Sequence, residues 1–314
     1  MFLLYPLSLI YRGAVNLRNL LYDRDILKRK KLPVPVVSVG NISAGGTGKT
    51  SLVRCLAQEL GRTLRVAVLL RGYRRKSKGT LVVSEWGELK VGVEEAGDEA
   101  YLLAKLLPSA SVVVSEDRYR GGLLAVERLG AELIVLDDGF QHRRLHRDLD
   151  IVLLRRRDLT DSLLPAGLLR EPLKNLSRAD AVVLSYQDIE PFEFELGEKP
   201  VFKMFRRFTH LLNTRFERVP LETLKDREVV AFAGLGSNEQ FFRSLERLGF
   251  RLKERLSFPD HYTYKDFSLK EGETYITTPK DMVKLPAVEN LFALDFELEV
   301  EGLLDFVRER VGKG

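Results

Sequence analysis

The stretch VVSVGNISAGGTGKT, residues 36–50, runs an apolar strand-like segment into Gly45, Gly46, Thr47 and Gly48, then Lys49 and Thr50. Glycines keep Cβ atoms off the inner side of such a loop, so backbone N–H groups can converge on one anion. The helix beginning near Lys49 adds partial positive charge at the same place. Lys49 would reach the β- and γ-phosphates of a nucleotide, and the Thr50 hydroxyl would bind Mg2+. The match to G-x-x-x-x-G-K-[ST] is incomplete, because Ser43 stands where the first glycine belongs. A tight strand-to-helix turn with a chance Gly-Lys-Thr is the competing reading.

A second constellation lies in AELIVLDDGFQH, residues 131–142. Four apolar residues precede Asp137 and Asp138, which places both acids at the carboxyl end of a buried strand, where the ligand crevice of an open α/β sheet lies. A P-loop protein needs an acid there to hold Mg2+ or its water. In GDEAYLLAK, residues 97–105, Asp98 and Glu99 open a helix. They read equally as acids favoured by the helix dipole or as a base awaiting a hydroxyl proton. His142 and His146 are spaced H-x-x-x-H, but Arg143, Arg144 and Arg147 crowd them, no third ligand is evident, and zinc is discounted. RGYRRKSKG (71–79) and LLPAGLLREP (163–172) bring Arg71, Tyr73, Arg74, Arg75, Arg170 and Glu171. SFPDHYTY (257–264) brings Asp260 and His261. The basic cluster of the first could face phosphates or be a solvated loop, and the other two are weak alone.

These residues need a scaffold. Strand-like runs at 34–40, 65–71, 111–115, 132–137, 149–154 and 180–185 alternate with helical runs at 49–60, 98–107, 120–129 and 171–177. That alternation predicts an α/β fold with a mostly parallel sheet and helices on both faces. TLVVSEWGELKV predicts a hairpin turning near Trp86-Gly87. The pattern changes near residue 190. A smaller α/β unit follows, with strands at 228–233, 251–256 and 274–277 and a helix at 238–248, between two extended stretches. We therefore expect a core at 32–198, a two-stranded linker at 199–219 and 289–300, a smaller lobe at 220–288 and a C-terminal helix at 301–314.

The chain has 314 residues, 45% of them hydrophobic and 30% charged, as expected for a globular protein with room for two cores. Its single cysteine, Cys55, excludes an intramolecular disulfide. The formal net charge of +5 is concentrated in residues 1–31, so a chain-wide nucleic-acid surface is not indicated, and no obligatory protein partner is evident. The same segment is greasy. Eleven residues precede its first charge at Arg12, too few to span a bilayer. Leu7, Ile10, Ala14, Leu17 and Leu21 fall on one helical stripe, with Arg12, Asn16, Asn19 and Asp23 on another. This predicts a helix lying in a membrane interface with Lys and Arg over anionic headgroups. A helix packed on its own protein is the alternative.

Taken together, the motifs resemble the tetraacyldisaccharide 4′-kinases of lipid A biosynthesis. The likeness rests on Val39-Gly40-Asn41 with Gly45 to Thr50, Arg71-Gly72-Tyr73, Gly97-Asp98-Glu99, DDGFQH, RDLDIVLL, LLPAGLLREP and FPDHY, in order over most of the chain. Ser51, Arg74, Ala100 and Pro279 depart from the family pattern without removing a reactive group. The resemblance implies a P-loop kinase with two α/β/α lobes on a two-stranded linker. It implies transfer from ATP to the 4′-hydroxyl of a lipid disaccharide 1-phosphate, forming lipid IVA at the cytoplasmic face of the inner membrane. It also implies roles: Thr50, Asp138 and Glu171 at Mg2+, Asp98 as base tuned by His261, and Arg71, Tyr73, Gln141, His142 and Arg170 toward the substrate, with Arg74 and Arg75 as further phosphate candidates. Rival readings fare worse. A partitioning-type switch ATPase would want lysine at Ala44, and a guanine site would want Asn-Lys-x-Asp, where the chain has Thr278-Pro279-Lys280-Asp281. A non-catalytic nucleotide binder leaves Asp98 and Asp138 together unexplained.

Overall fold

The computed structural model describes residues 4–312; the first three residues of the N-terminal segment and the last two of the C-terminal one lie outside it. Helix α1 (Tyr5–Asp23) precedes β1 (Val36–Asn41), α2 (Lys49–Leu60), β2 (Val66–Leu70) and the hairpin β3 (Leu81–Glu85) and β4 (Glu88–Leu89). A short turn α3 (Val93–Ala96) leads to α4 (Asp98–Leu106), β5 (Ser111–Val114), α5 (Arg118–Glu127), β6 (Leu133–Asp137), β7 (Leu149–Leu154), β8 (Ala181–Leu184) and β9 (Val201–Lys203). These strands form one nine-stranded sheet in the order β4-β3-β5-β2-β6-β1-β7-β8-β9. Every pairing from β5 to β9 is parallel, and only β3 runs against the rest, antiparallel to both β4 and β5.

The sequence explains this sheet. Its central strands are predominantly apolar, as expected where helices cover both faces, and β1, β2, β5, β6, β7 and β8 are buried along their whole length. In α2, Leu52, Val53, Leu56, Ala57 and Leu60 line the side that packs on the sheet. The turn after β6 doubles back beside β1, where only glycine fits: a Cβ at Gly40 would lie 2.5 Å from the Cβ of Phe140. The β1/β6 neighbourhood brings the two strand ends bearing Asn41 and Asp137 side by side.

A second, six-stranded sheet has the order β11-β10-β15-β14-β12-β13, from β10 (Phe205–Leu212), β11 (Arg218–Pro220), β12 (Glu228–Ala233), β13 (Arg251–Ser257), β14 (Thr274–Thr277) and β15 (Leu291–Glu299). Helix α6 (Asn238–Arg247) packs on it and the turn α7 (Pro279–Met282) follows β14. The boundary differs from the one expected. Val201–Lys203 is the edge strand of the large sheet, so the crossing begins at Met204 rather than at 199. The two-stranded ribbon is short: Phe205, Arg206 and Arg207 face Glu299, Leu298 and Glu297, and beyond a bulge β10 and β15 enter the smaller sheet. Helix α8 (Leu303–Val311) returns to the first lobe, where Leu303 and Val307 are buried in the large core. The helix expected at 171–177 is a 3-10 segment, Leu173–Arg178, entered from an extended Pro172.

Among the described residues no helix is long and apolar enough to cross a membrane. Helix α1 lies on the first lobe in an unusual sense. Its buried residues are Ser8, Val15 and Asn19, whereas Leu7, Leu9, Ile10, Leu17 and Leu20 are exposed, Ile10 by 71%. Part of the polar stripe, expected to face water, faces the protein instead.

Candidate active site

The glycine-rich loop is shaped from outside. Arg157 donates to the Ala44 carbonyl (3.1 Å) and Arg155 to the Gly46 carbonyl (3.2 Å), with the Tyr186 hydroxyl 3.4 Å from the latter. In a trans peptide the C=O and N–H point opposite ways. The N–H groups of Gly45 and Thr47 therefore turn to the inner side. The Asn41 amide closes the loop by donating to Thr47 Oγ1 (3.0 Å). Gly48, at φ +85°, makes the left-handed step into α2.

The inner side opens on a cavity of about 570 Å3. Residues 45–51 form one wall; Arg71, Tyr73, Gly97, Glu99, Asp137, Asp138, Arg170, Asp260, His261 and Lys280 form the others. Both lobes thus contribute. Lys49 Nζ lies 3.4 Å from Asp138, and Arg170 reaches both oxygens of that carboxylate at 3.0 and 3.1 Å. Burial pushes Asp138 up, but Lys49 and Arg170 outweigh it and hold the carboxyl below its ordinary value. Asp138 sits at φ +54°, a conformation an Asp tolerates at some cost and which aims it at the two cations.

Asp137 behaves oppositely. Burial, then the neighbouring Glu99 charge, push it up to about 7 against the pull of Lys49. Its Oδ2 accepts from Thr50 Oγ1 (3.2 Å), while its buried Oδ1 has no hydrogen-bond partner. An orphaned carboxylate oxygen beside a hydroxyl suits a small hard cation, which takes one or two carboxylates and fills its remaining positions with water and phosphate. The donor set fits Mg2+, with Asp137 rather than Asp138 as the partner of Thr50.

Asp98 is the first residue of α4, where the helix dipole favours a carboxylate. His261 Nδ1 lies 3.4 Å and Lys284 Nζ 3.5 Å from the same oxygen, Oδ2. Lys280 Nζ stands 3.4 Å from His261 Nε2 and 3.0 Å from Asp260. A lysine ammonium only donates, so Nε2 accepts and the Nδ1–H donates to Asp98. Asp98 Oδ1 accepts no hydrogen bond among the described residues. Tyr73 is exposed, its ring edge-on to His261 at 6.3 Å.

Other expected site residues lie elsewhere. Glu171 is fully buried beneath α1, and its oxygens accept from Arg18, Asn19, Asn175 and Arg178. With four donors engaged and no place on the cavity wall, it is not available as a magnesium ligand. Gln141 donates to the Asn41 carbonyl (2.8 Å), behind the loop. His142 is absent from the cavity wall, and burial, with Arg118 and Arg147 nearby, lowers it to about 4, leaving a neutral imidazole. Arg75 turns away to Glu116 (2.6 Å) and the Gly79 carbonyl, bracing its own loop.

Comparison with known proteins decides the family. A family model described as "Tetraacyldisaccharide-1-P 4'-kinase" matches residues 1–311. The chain belongs to this family. It is 63% identical to a tetraacyldisaccharide 4'-kinase of Aquifex aeolicus (strain VF5), over 95% of this chain and 94% of that protein. It is 36% identical to one of Halothermothrix orenii, over 98% and 91%. The fold superposes with a TM-score of 0.94 on a crystal structure described as the "apo" form LpxK from Aquifex aeolicus in complex with ATP, at 60% identity and covering 99% of this chain and 98% of that one.

Sequence reasoning missed several residues of this kinase's site. Lys280 lay in a stretch noticed for Pro279 rather than for its lysine. Lys284 had no motif around it. Arg155 and Arg157 follow an apolar strand as a plain basic run, RRRD, and only the spatial neighbourhood of β7 and β1 makes them braces of the phosphate loop. Glu99 was named with Asp98, and it is Glu99 that stands on the cavity wall.

Proposed function

We propose that this tetraacyldisaccharide 4′-kinase transfers the γ-phosphoryl group of ATP to the 4′-hydroxyl of tetraacyldisaccharide 1-phosphate by way of the cavity between its two lobes. The convergence on one cavity of the phosphate loop, the Asp137–Asp138 pair and His261, which reaches Asp98, is the observation that supports this most directly. The loop amides and Lys49 bind the β- and γ-phosphates, and Arg170 adds positive charge where the transferred group carries negative charge. Thr50 and Asp137, with Asp138 beside them, would hold Mg2+, which neutralises phosphate charge when bound. The second-lobe donors His261 and Lys284 both occupy Asp98 Oδ2. Oδ1 is left to accept the proton of the 4′-hydroxyl, while His261 orients the carboxylate. Arg71 and Tyr73 are candidates for holding the disaccharide.

The outward apolar face of α1, followed by Lys28, Arg29, Lys30 and Lys31, suits docking at the cytoplasmic face of the inner membrane. The two sheets act as two lobes hinged at Met204 and after β15. Transfer of labelled phosphate from ATP to purified disaccharide 1-phosphate, with and without anionic vesicles, tests the reading. Label on the 4′ position, stimulated by vesicles, is expected. ATP turnover that is indifferent to the disaccharide would overturn it.

A further inference from the structure

Helix α1 turns polar side chains inward, and they meet one segment. Ser8 donates to the Leu163 carbonyl (2.9 Å) and accepts from the Ala166 N–H (3.1 Å). The Tyr11 hydroxyl donates to the Arg170 carbonyl (3.0 Å). Asn19 and Arg18 donate to the two oxygens of Glu171, at 2.9 and 3.2 Å. Segment 162–171 does two things at its far side. Its backbone pairs with the start of the phosphate loop, the Ala44 N–H donating to the Leu168 carbonyl (2.8 Å) and the Arg170 N–H to the Ile42 carbonyl (2.6 Å). Its Arg170 side chain grips Asp138. A buried carboxylate such as Glu171 is costly unless its partners are complete, so this contact is specific rather than incidental packing.

We propose that Asn19 is a positioning residue of the kinase: through Glu171, α1 holds segment 162–171 in the register that sets Arg170 against Asp138 and braces the phosphate loop. This rests on the kinase reading given above but not on membrane docking. The apolar face of α1 points away from Glu171, so the same helix presents one face to a lipid surface and the other to the nucleotide site.

The test uses the full chain with Asn19→Ala, Asn19→Asp and the double variant Asn19→Asp/Glu171→Gln. Transfer is measured at saturating disaccharide in mixed micelles, alongside anionic-vesicle binding, thermal melts and hydrogen exchange. Asn19→Ala should lower kcat about tenfold, the scale of one lost buried hydrogen bond to a charge, with vesicle binding unchanged. Asn19→Asp, which sets a second carboxylate against Glu171, should be worse, and Glu171→Gln in the same chain should restore part of the loss. Amides of 42–48 and 162–171 should exchange faster in the single variants. A lower melting temperature with kcat and exchange at 42–48 unchanged would overturn the proposal, since Asn19 would then be structural only. So would a defect confined to vesicle binding. Exchange reads the coupling without turnover. A wild-type chain that left the disaccharide unphosphorylated would therefore defeat the kinase reading, and the coupling would stand or fall on exchange.

Discussion

The two walls of the cavity are built differently. The nucleotide wall comes from adjacent strand ends of one parallel sheet, β1 and β6, with the loop and α2 between them in sequence. The opposite wall includes Glu99 from the first lobe and Asp260, His261 and Lys280 from the second, and His261 reaches Asp98, which Lys284 also contacts. The first wall is fixed by the fold of one core; the second exists only while two lobes stand in one relation. Binding of phosphate should therefore be robust, and readiness of the base should be conditional on closure.

The largest effects belong to the first wall. Lys49→Ala and Asp138→Ala should each lower turnover by about 10³-fold or more, as expected for charges that face the transferred group. Melting should change little. Lys49→Ala removes a cation that lies 3.4 Å from Asp138, while Asp138→Ala leaves Lys49 and Arg170 facing each other. Full turnover in a folded Asp138→Ala chain would show that Asp137 alone serves this wall.

Next comes the divided wall. Asp98→Ala should cost about 10²–10⁴ in kcat, the range for losing a general base. His261→Ala should cost less, because His261 orients rather than accepts. The double variant should be little worse than Asp98→Ala, since groups acting as one unit lose activity non-additively. A double-mutant cycle on phosphate transfer checks this, and penalties that multiply in full would separate the two residues.

The tie between lobes offers a third test. Arg54 on α2 donates twice to Asp295 on β15, at 2.8 and 2.7 Å, and His210 stands 3.4 Å from the same carboxylate. Burial pushes Asp295 up, yet His210 and Arg54 prevail and hold it at about 2. With a folded value below its ordinary ~3.9, its contribution is fully present above about pH 4 and is lost as pH falls toward 2. Asp295→Asn should destabilise the protein at neutral pH by about 3 kcal/mol, the low end for breaking a buried pair. It should also flatten the fall in stability between about pH 4 and pH 2. Melts across pH measure both. An unaltered acid limb would place the acid-sensitive group elsewhere.

Legibility followed the same division. The nucleotide wall is local: β1, the loop and the start of α2 are contiguous, and Asp137–Asp138 ends a strand whose burial shows in its apolar run. Helix α2 and strand β7 have the bounds their patterns predict, Lys49–Leu60 and Leu149–Leu154. What failed was long-range. Arg54 and Asp295 are 241 positions apart and Asn19 and Glu171 152 apart, and no periodicity pairs such residues. Glu171 comes to the metal only through the resemblance, and only the structure shows its lone pairs taken. Asp98 and His261 came together in the sequence reading through the resemblance, not through spacing.

The smallest effect asks how far the first wall is self-supporting. Arg157 touches the loop twice. Its guanidinium donates to the Ala44 carbonyl, and it lies 3.0 Å from where a Gly45 Cβ would be. Removing the side chain frees the carbonyl, and the Gly45 N–H on the far side of that peptide loses its fixed direction. One partly exposed hydrogen bond contributes about 1 kcal/mol, or roughly fivefold in affinity. Arg157→Ala should therefore raise KM for ATP about fivefold and leave kcat nearly unchanged, because the loop still binds once ordered by phosphate. A purely electrostatic role would produce the same KM change, but through the cation rather than the donor. Arg157→Gln separates them: it keeps a donor and removes the charge. Recovery of KM by glutamine, at low and high salt alike, assigns the effect to the hydrogen bond. A deficit in glutamine that shrinks with added salt assigns it to charge. An unchanged KM in the alanine variant would mean that the glycine loop holds its shape without the brace, and the contrast between the two walls would then be sharper still.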